Sequence, residues 1–263
     1  MDVEIWWLLA GAILFFAMGW LAARVDLRHV MRDARALPSA YFRGLNYLLR
    51  QEHDKAVESF VDVSKRDPHA LDLQLALGSL FRRQGRLADA TAIHQSLVDR
   101  HDLPKDKREL AVFELAQDFH AAGLFDRAEA HYESLTNTPL EPEALTKLAA
   151  VLEQEKDWPK VIAVRSRIET LSREPQGKLI AQCYCELADV ALAKNDVAGV
   201  EANVTKALEF NRNSGRAKLL AFRAHVRAGQ RGPARLALEE LSRIQPELLP
   251  LISDEVVGLW QEE

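Results

Sequence analysis

Small and apolar residues recur along this chain at an interval of 34, and that spacing limits the possible folds more than any other property of the sequence. Gly44 and Gly78 stand 34 residues apart, as do Ala56 and Ala90, Phe60 and His94, and Val63 and Leu97. A fixed period of this length means one supersecondary unit repeated. Each copy is too small to bury its apolar face alone and does so by stacking on its neighbours. Within a copy the recurring order is a small residue, a large one three positions on, a break, then an alanine, an aromatic and another small or apolar residue, kept most fully in the third copy. That order describes two helices crossing closely at the small positions.

Six copies can be followed. The first has Gly44, Tyr47, Ala56 and Phe60 before Pro68, and the second Leu77, Gly78, Phe81, Gly85, Ala90 and Leu97. The third is the clearest, with Leu115, Ala116, Phe119, Gly123, Ala128, Tyr132 and Leu135. Gly123 suits the left-handed residue that ends a helix, and Ala128 falls at the tight crossing. Leu148, Ala149, Leu152, Val161 and Ile168 form the fourth copy; Leu187, Ala188, Ala191, Val200, Val204 and Ala207 form the fifth. The sixth has Ala221, Gly229, Ala234, Leu238, Leu241 and Pro246, but Phe222 stands where a small residue is expected, so its packing is expected to be disturbed. The polar runs LPKDKRE and REPQGK stretch the period and read as longer loops. This is the tetratricopeptide-repeat (TPR) pattern, and six copies exceed the roughly three that a stable stack needs. The predicted class is all-α: an N-terminal transmembrane helix followed by a TPR α-solenoid of about six repeats.

The predicted membrane segment runs from Ile5 to Ala23 without a charge. As a helix it spans about 28 Å, near the roughly 30 Å of a bilayer's hydrocarbon core. Its Ile, Leu and Phe residues contribute on the order of −4 kcal/mol to insertion. Trp6, Trp7 and Trp20 mark the two interfaces. A cleaved signal peptide fits poorly, because Asp2 and Glu4 replace a basic start and the apolar run is too long. Gly11, Phe15 and Gly19 are candidate contacts for a membrane partner, since small residues let helices approach closely. Residues 1–24 are thus read as the anchor, 25–36 as a basic juxtamembrane linker, 37–246 as the array and 247–263 as a terminal helix that caps it or begins another repeat.

Composition removes several functions. A net charge of −5 leaves no cationic excess for nucleic acid. There is no G-x-G-x-x-G, P-loop, H-E-x-x-H or G-x-S-x-G, so no enzyme is expected. His29, His53, His69, His94, His101, His120, His131 and His225 show no ligand spacing on one helix face. Cys183 and Cys185, two residues apart on a helix, face different ways and are expected to pack rather than hold a metal. No cofactor is expected in this chain.

Binding is expected from the first helix of each repeat, which lines the concave face of such arrays. The register places Arg82, Arg83, Phe113, Gln117, His120, Cys185, Asp189 and Arg223 there, a mixed groove for a peptide or helix. Asp126 reads as a cap for the second helix of the third repeat, and its neighbour Arg127 as a further partner contact. A chaperone-type scaffold gripping a carboxylate with Arg82, Arg83 and Arg223 is the alternative reading.

The runs GLNYLLRQEHDKAVESF, LGSLFRRQGRLADATAIHQSL, DFHAAGLFDRAEAHYESLT and CYCELA, behind one N-terminal membrane segment, resemble the lipopolysaccharide assembly protein B family of Gram-negative bacteria. The resemblance implies an inner-membrane adaptor that works with the protease FtsH to promote proteolysis of LpxC, among other inner-membrane lipopolysaccharide regulators. It also implies a C-terminal rubredoxin-like metal domain with two C-x-x-C pairs; neither pair occurs in these 263 residues, which are either a truncated product or a shorter branch of the family. Oligomeric state, a homo-oligomer included, is left open by the sequence. Arg24, Arg28, Arg32 and Arg35 against Asp26 and Asp33 place the C-terminal side in the cytoplasm. Alkaline phosphatase fused after Glu263 is therefore expected to be inactive, and high activity from an intact fusion reverses the orientation.

Overall fold

The structure is a computed structural model that describes residues 52–66 and 71–261, together with 14–16, 18, 42–44, 46, 47 and 50. Among these there is no strand. The expected membrane segment lies outside the described residues except for Leu14, Phe15, Phe16 and Met18, which are helical and exposed. Among the described residues no helix is long and apolar enough to cross a membrane. The chain forms two compact units, Met1–Ile93 and His94–Glu263.

In the first unit, α1 (His53–Arg66) and α2 (Leu71–Arg83) bury Ala56, Val57 and Phe60 with Leu73, Leu77, Leu80 and Phe81, joined by Ala90 from the start of α3 (Leu87–Val98). The small residue that opens the repeat has a clear steric reason. A Cβ built on Gly44 would lie 2.5 Å from the Phe60 ring, so the aromatic on the second helix fills the room that glycine leaves on the first. Arg86 covers Phe81, its guanidinium 4.3 Å from the ring centroid.

The second unit contains α4 (Lys105–Ala121), α5 (Phe125–Glu133), α6 (Glu141–Glu155), α7 (Trp158–Ser172), α8 (Gly177–Ala193), α9 (Val197–Phe210), α10 (Gly215–Arg227) and α11 (Arg231–Ile244). They form the helix pairs of the third to sixth repeats. One buried cluster gathers Leu115, Phe119, Ala128, Tyr132, Leu148, Leu152 and Val161 from the third and fourth. Another gathers Ala188, Val200, Val204, Phe222, Ala234 and Leu241 from the fifth and sixth. Phe222 does not disturb its surroundings as expected: it is fully buried in the cluster of the fifth and sixth repeats, which is rich in alanine, Ala188, Ala217, Ala224 and Ala234 among them. Ala128 is likewise 0% exposed.

Three features differ from the expectations. LPKDKRE is mostly helix, because α4 already begins at Lys105; Arg108 pins the shorter connection by donating to the carbonyls of Arg100 and His101 at 3.1 Å. Asp126 makes no cap hydrogen bond and sits in the first turn of α5, where its charge favours the dipole. The single helix expected from Glu247 is broken into a 3-10 helix (Pro246–Ile252) and α12 (Ser253–Gln261). Pro246 and Pro250 cannot donate to an α-helical ladder, and the tighter turn carries Ile252 into the core at 1% exposure.

Every first helix from α2 onward ends in one left-handed residue: Gly85, Gly123, Lys156, Asn195 and Gly229, with φ between 57° and 75°. Where that residue is not glycine an aspartate follows. Asp157 accepts from the Lys160 amide at 3.2 Å and Asp196 from the Gly199 amide at 2.9 Å. A good N-cap is worth about 1 kcal/mol, enough to offset much of the left-handed penalty of about 1–2 kcal/mol. The two kinds of repeat predict effects of opposite sign. Lys156→Gly is expected to raise unfolding free energy by about 0.5–1 kcal/mol and Gly123→Ala to lower it by about 1 kcal/mol. Urea denaturation of the two variants checks this, and equal signs would contradict the assignment.

Candidate partner-binding surface

On α4, Phe113, Gln117 and His120 fall at helical spacings of four and three and share one face. They differ in access. Phe113 is 7% exposed and meets the edge of Tyr132 at 5.9 Å, so it supports the face from beneath. Gln117 and His120 are half-buried, and His120 sets its ring against Phe125 at 6.0 Å. Arg127 stands exposed on α5, its guanidinium 5.5 Å from the Phe119 ring. In the first unit, Arg83 is exposed and Arg82 half-buried, with a 3.5 Å hydrogen bond to the Ser79 hydroxyl. Phe15 is helical and 83% exposed, while Gly11 and Gly19 lie outside the described residues.

Further along, the expected groove residues are held by the chain itself. Asp189 on α8 accepts from Arg216 on α10, which also donates to Glu186 at 2.6 Å. Burial opposes the Arg216 charge, but hydrogen bonds to the two carboxylates outweigh it and hold the pKa above the ordinary guanidinium value. Arg223 donates to Glu255 at 3.1 Å and to the Leu251 carbonyl at 3.2 Å, so the C-terminal segment occupies the cation that a carboxylate-gripping scaffold would need. Cys185 is 0% exposed and offers no groove surface.

The two thiols face different cores, Cys183 the cluster of the third and fourth repeats and Cys185 that of the fifth and sixth. Burial pushes the Cys183 pKa up to about 11 and raises that of Cys185, so both are protonated and unreactive near neutral pH. Among the described residues no three His, Cys, Asp or Glu side chains are grouped to hold a metal ion.

A polar pair that the sequence reading missed lies in the core. His94 Nδ1 is 2.5 Å from Asp118 Oδ2, and both side chains are 0% exposed. His94 occupies the place that Phe60 and Tyr132 take in the flanking repeats. In the fourth repeat that place is held by Arg165, which donates to Glu153 at 3.1 Å and to Gln176 at 3.2 Å. Where the aromatic position turns polar, an acid on a neighbouring helix meets it. A signal was present: Asp118 interrupts the apolar stripe Ala111, Leu115, Ala116 and Phe119.

No protein-family model matches the chain. Among solved structures, it superposes on the C-terminal part of a TPR repeat-containing protein from Cytophaga hutchinsonii with a TM-score of 0.52, at 12% identity, covering 83% of this chain and 84% of that one. With the helix pairs above, this defines a tetratricopeptide-repeat protein. In sequence the chain is 33% identical over 240 residues to lipopolysaccharide assembly protein B of Escherichia coli K12, covering 90% of this chain and 61% of that protein. It is 30% identical over 250 residues to the protein of the same name from Haemophilus influenzae Rd, covering 89% and 63%. The chain is thus a relative of lipopolysaccharide assembly protein B, and it spans somewhat over three-fifths of the length of these curated relatives.

Removing one partner of a buried hydrogen-bonded pair costs about 1–3 kcal/mol because the other is left unsatisfied in a dry site. Asp118→Ala is therefore expected to lower unfolding free energy by about 2 kcal/mol or more, whereas Asp157→Ala, which removes an exposed cap, is expected to cost only about 1 kcal/mol. Denaturant midpoints of the two variants check the ranking.

Proposed function

We propose that this chain is an inner-membrane adaptor without catalytic chemistry of its own, which restrains lipopolysaccharide synthesis by promoting FtsH-dependent proteolysis of LpxC. The observation that carries the reading is the likeness to lipopolysaccharide assembly protein B over nine-tenths of the chain. Two physical features support it. TPR arrays work by holding other proteins on extended helical faces, and Gln117, His120 and Arg127 offer polar groups beside buried aromatics on such a surface. The uncharged run from Ile5 to Ala23 suits a single-pass anchor, with the array on the cytoplasmic side.

The plain scaffold that grips a free carboxylate is the weaker reading, since Glu255 already occupies Arg223. In the proposed adaptor the N-terminal segment does more than tether. Replacing residues 5–23 by an unrelated transmembrane helix of the same orientation is expected to keep the protein in the membrane, abolish co-purification of FtsH and let LpxC accumulate. Normal LpxC turnover in the exchanged protein would reduce the segment to a tether and move specificity to the repeats. Normal turnover in cells lacking the whole chain would sink the adaptor reading itself.

A further inference from the structure

At one edge of the second unit, where α8 and α10 begin and α9 and α11 end, there is a cleft of about 840 Å³. Lys178, Arg216 and Arg243 supply its charge, and Gln182, Asn211, Asn213 and Gln245 its amide groups; Ile244 and Leu248 form an apolar wall. No carboxylate lines it. That is unusual in a chain of net charge −5 whose cations are commonly paired, as Lys160 is with Glu129, Arg167 with Glu141 and Lys218 with Glu240. Arg216 is neutralised by Glu186 and Asp189, but Lys178 and Arg243 have no ion pair or side-chain hydrogen bond among the described residues.

Backbone electrostatics are balanced here, because the starts of α8 and α10 and the ends of α9 and α11 carry opposite partial charges. The first turns of α4, α5 and α6 contain Asp106, Asp126 and the pair Glu141 and Glu143, the acids that a helix N-terminus favours. The first turns of α7 to α11 contain none, and in α8 and α10 the second residues are Lys178 and Arg216. The positive character of the cleft therefore comes from its side chains, Lys178 and Arg243 above all. Close packing fixes its wall, since a Cβ on Gly215 would lie 2.0 Å from the Gln245 amide oxygen.

We propose that this cleft docks an extended acidic peptide segment of a partner protein. The volume falls in the range of ligand pockets, about 300–1,000 Å³, and exceeds what a lone inorganic anion fills. Carboxamides match the donors and acceptors of an extended backbone, the cations match side-chain carboxylates, and Ile244 and Leu248 accept an intervening apolar residue. Two unpaired cations are too few to hold a nucleic acid against the charge of the whole chain. The cleft lies apart from the face of Gln117 and His120 and gives the array a second point of contact. The inference rests on the adaptor reading for its partner, but peptide alone tests it.

The test uses the full chain purified in detergent and a fluorescent, end-blocked octapeptide of alternating Glu and Ala. Saturable binding is expected, weaker by at least about tenfold for the peptide with Gln in place of Glu, and falling as salt rises from about 50 to about 300 mM. Lys178→Glu combined with Arg243→Glu is expected to cost at least about tenfold, and Lys206→Glu to cost nothing, with circular dichroism unchanged in both. Four results overturn the proposal: no saturation by about 1 mM peptide, equal binding of the Gln peptide, full displacement by an equal concentration of inorganic phosphate, or preferential binding of oligothymidylate. Loss of the cleft on these grounds with FtsH co-purification intact leaves the adaptor reading standing, and the reverse pattern separates them equally.

Discussion

Each repeat depends on how closely its first helix can lie against its second. Gly44 under Phe60 shows the limit: one added carbon would sit inside the ring's contact distance. Ala90, Ala128, Val161, Val200 and Ala234, all 0% exposed, continue the theme at the matching places on the second helices. Close crossing lets the flanking leucines and aromatics interdigitate, and their removal from water is worth about 1.5–3 kcal/mol for each large side chain. The crossing also leaves the outer rows of each helix for solvent or partners. Packing and the candidate surface thus follow from the same small residues.

Much of this fold could be read from sequence because close crossings demand particular residue sizes at fixed spacing. Leu115, Ala116, Phe119, Ala128 and Tyr132 predicted the third repeat, and all five are buried in one cluster. Phe222 misled because the period fixes where a residue lies and not the size of what faces it; the cluster that holds it draws alanines from α8, α10 and α11. The broken C-terminal helix was legible in Pro246 and Pro250, whose effect the apolar spacing of Leu251 and Val256 obscured.

The surface was less legible for a related reason. Register placed Asp189 and Arg223 on the first-helix faces but could not say that Arg216 and Glu255 would occupy them. Ion pairs between repeats depend on side-chain reach across 27 and 32 residues of sequence, which no single helical pattern encodes. The His94–Asp118 pair stands between these cases. Its two members each break a pattern, a histidine in an aromatic place and an aspartate in an apolar stripe, and only together do they make sense. Buried polar groups of this kind restrict which helix can stack next, since a wrong neighbour leaves a buried polar atom without its partner.

Helix α8 has one more property. Cys183 lies in the cluster of the third and fourth repeats, and Ala181, Cys185 and Ala188 lie in that of the fifth and sixth. The helix is therefore a party wall between two cores. In a stack where each repeat touches only its neighbours, one end can fray while the rest holds. A shared wall works against this, because detaching α8 from either side uncovers apolar surface on the other. Cooperativity within His94–Glu263 thus follows from two residues that a simple count of cysteines treats as a pair.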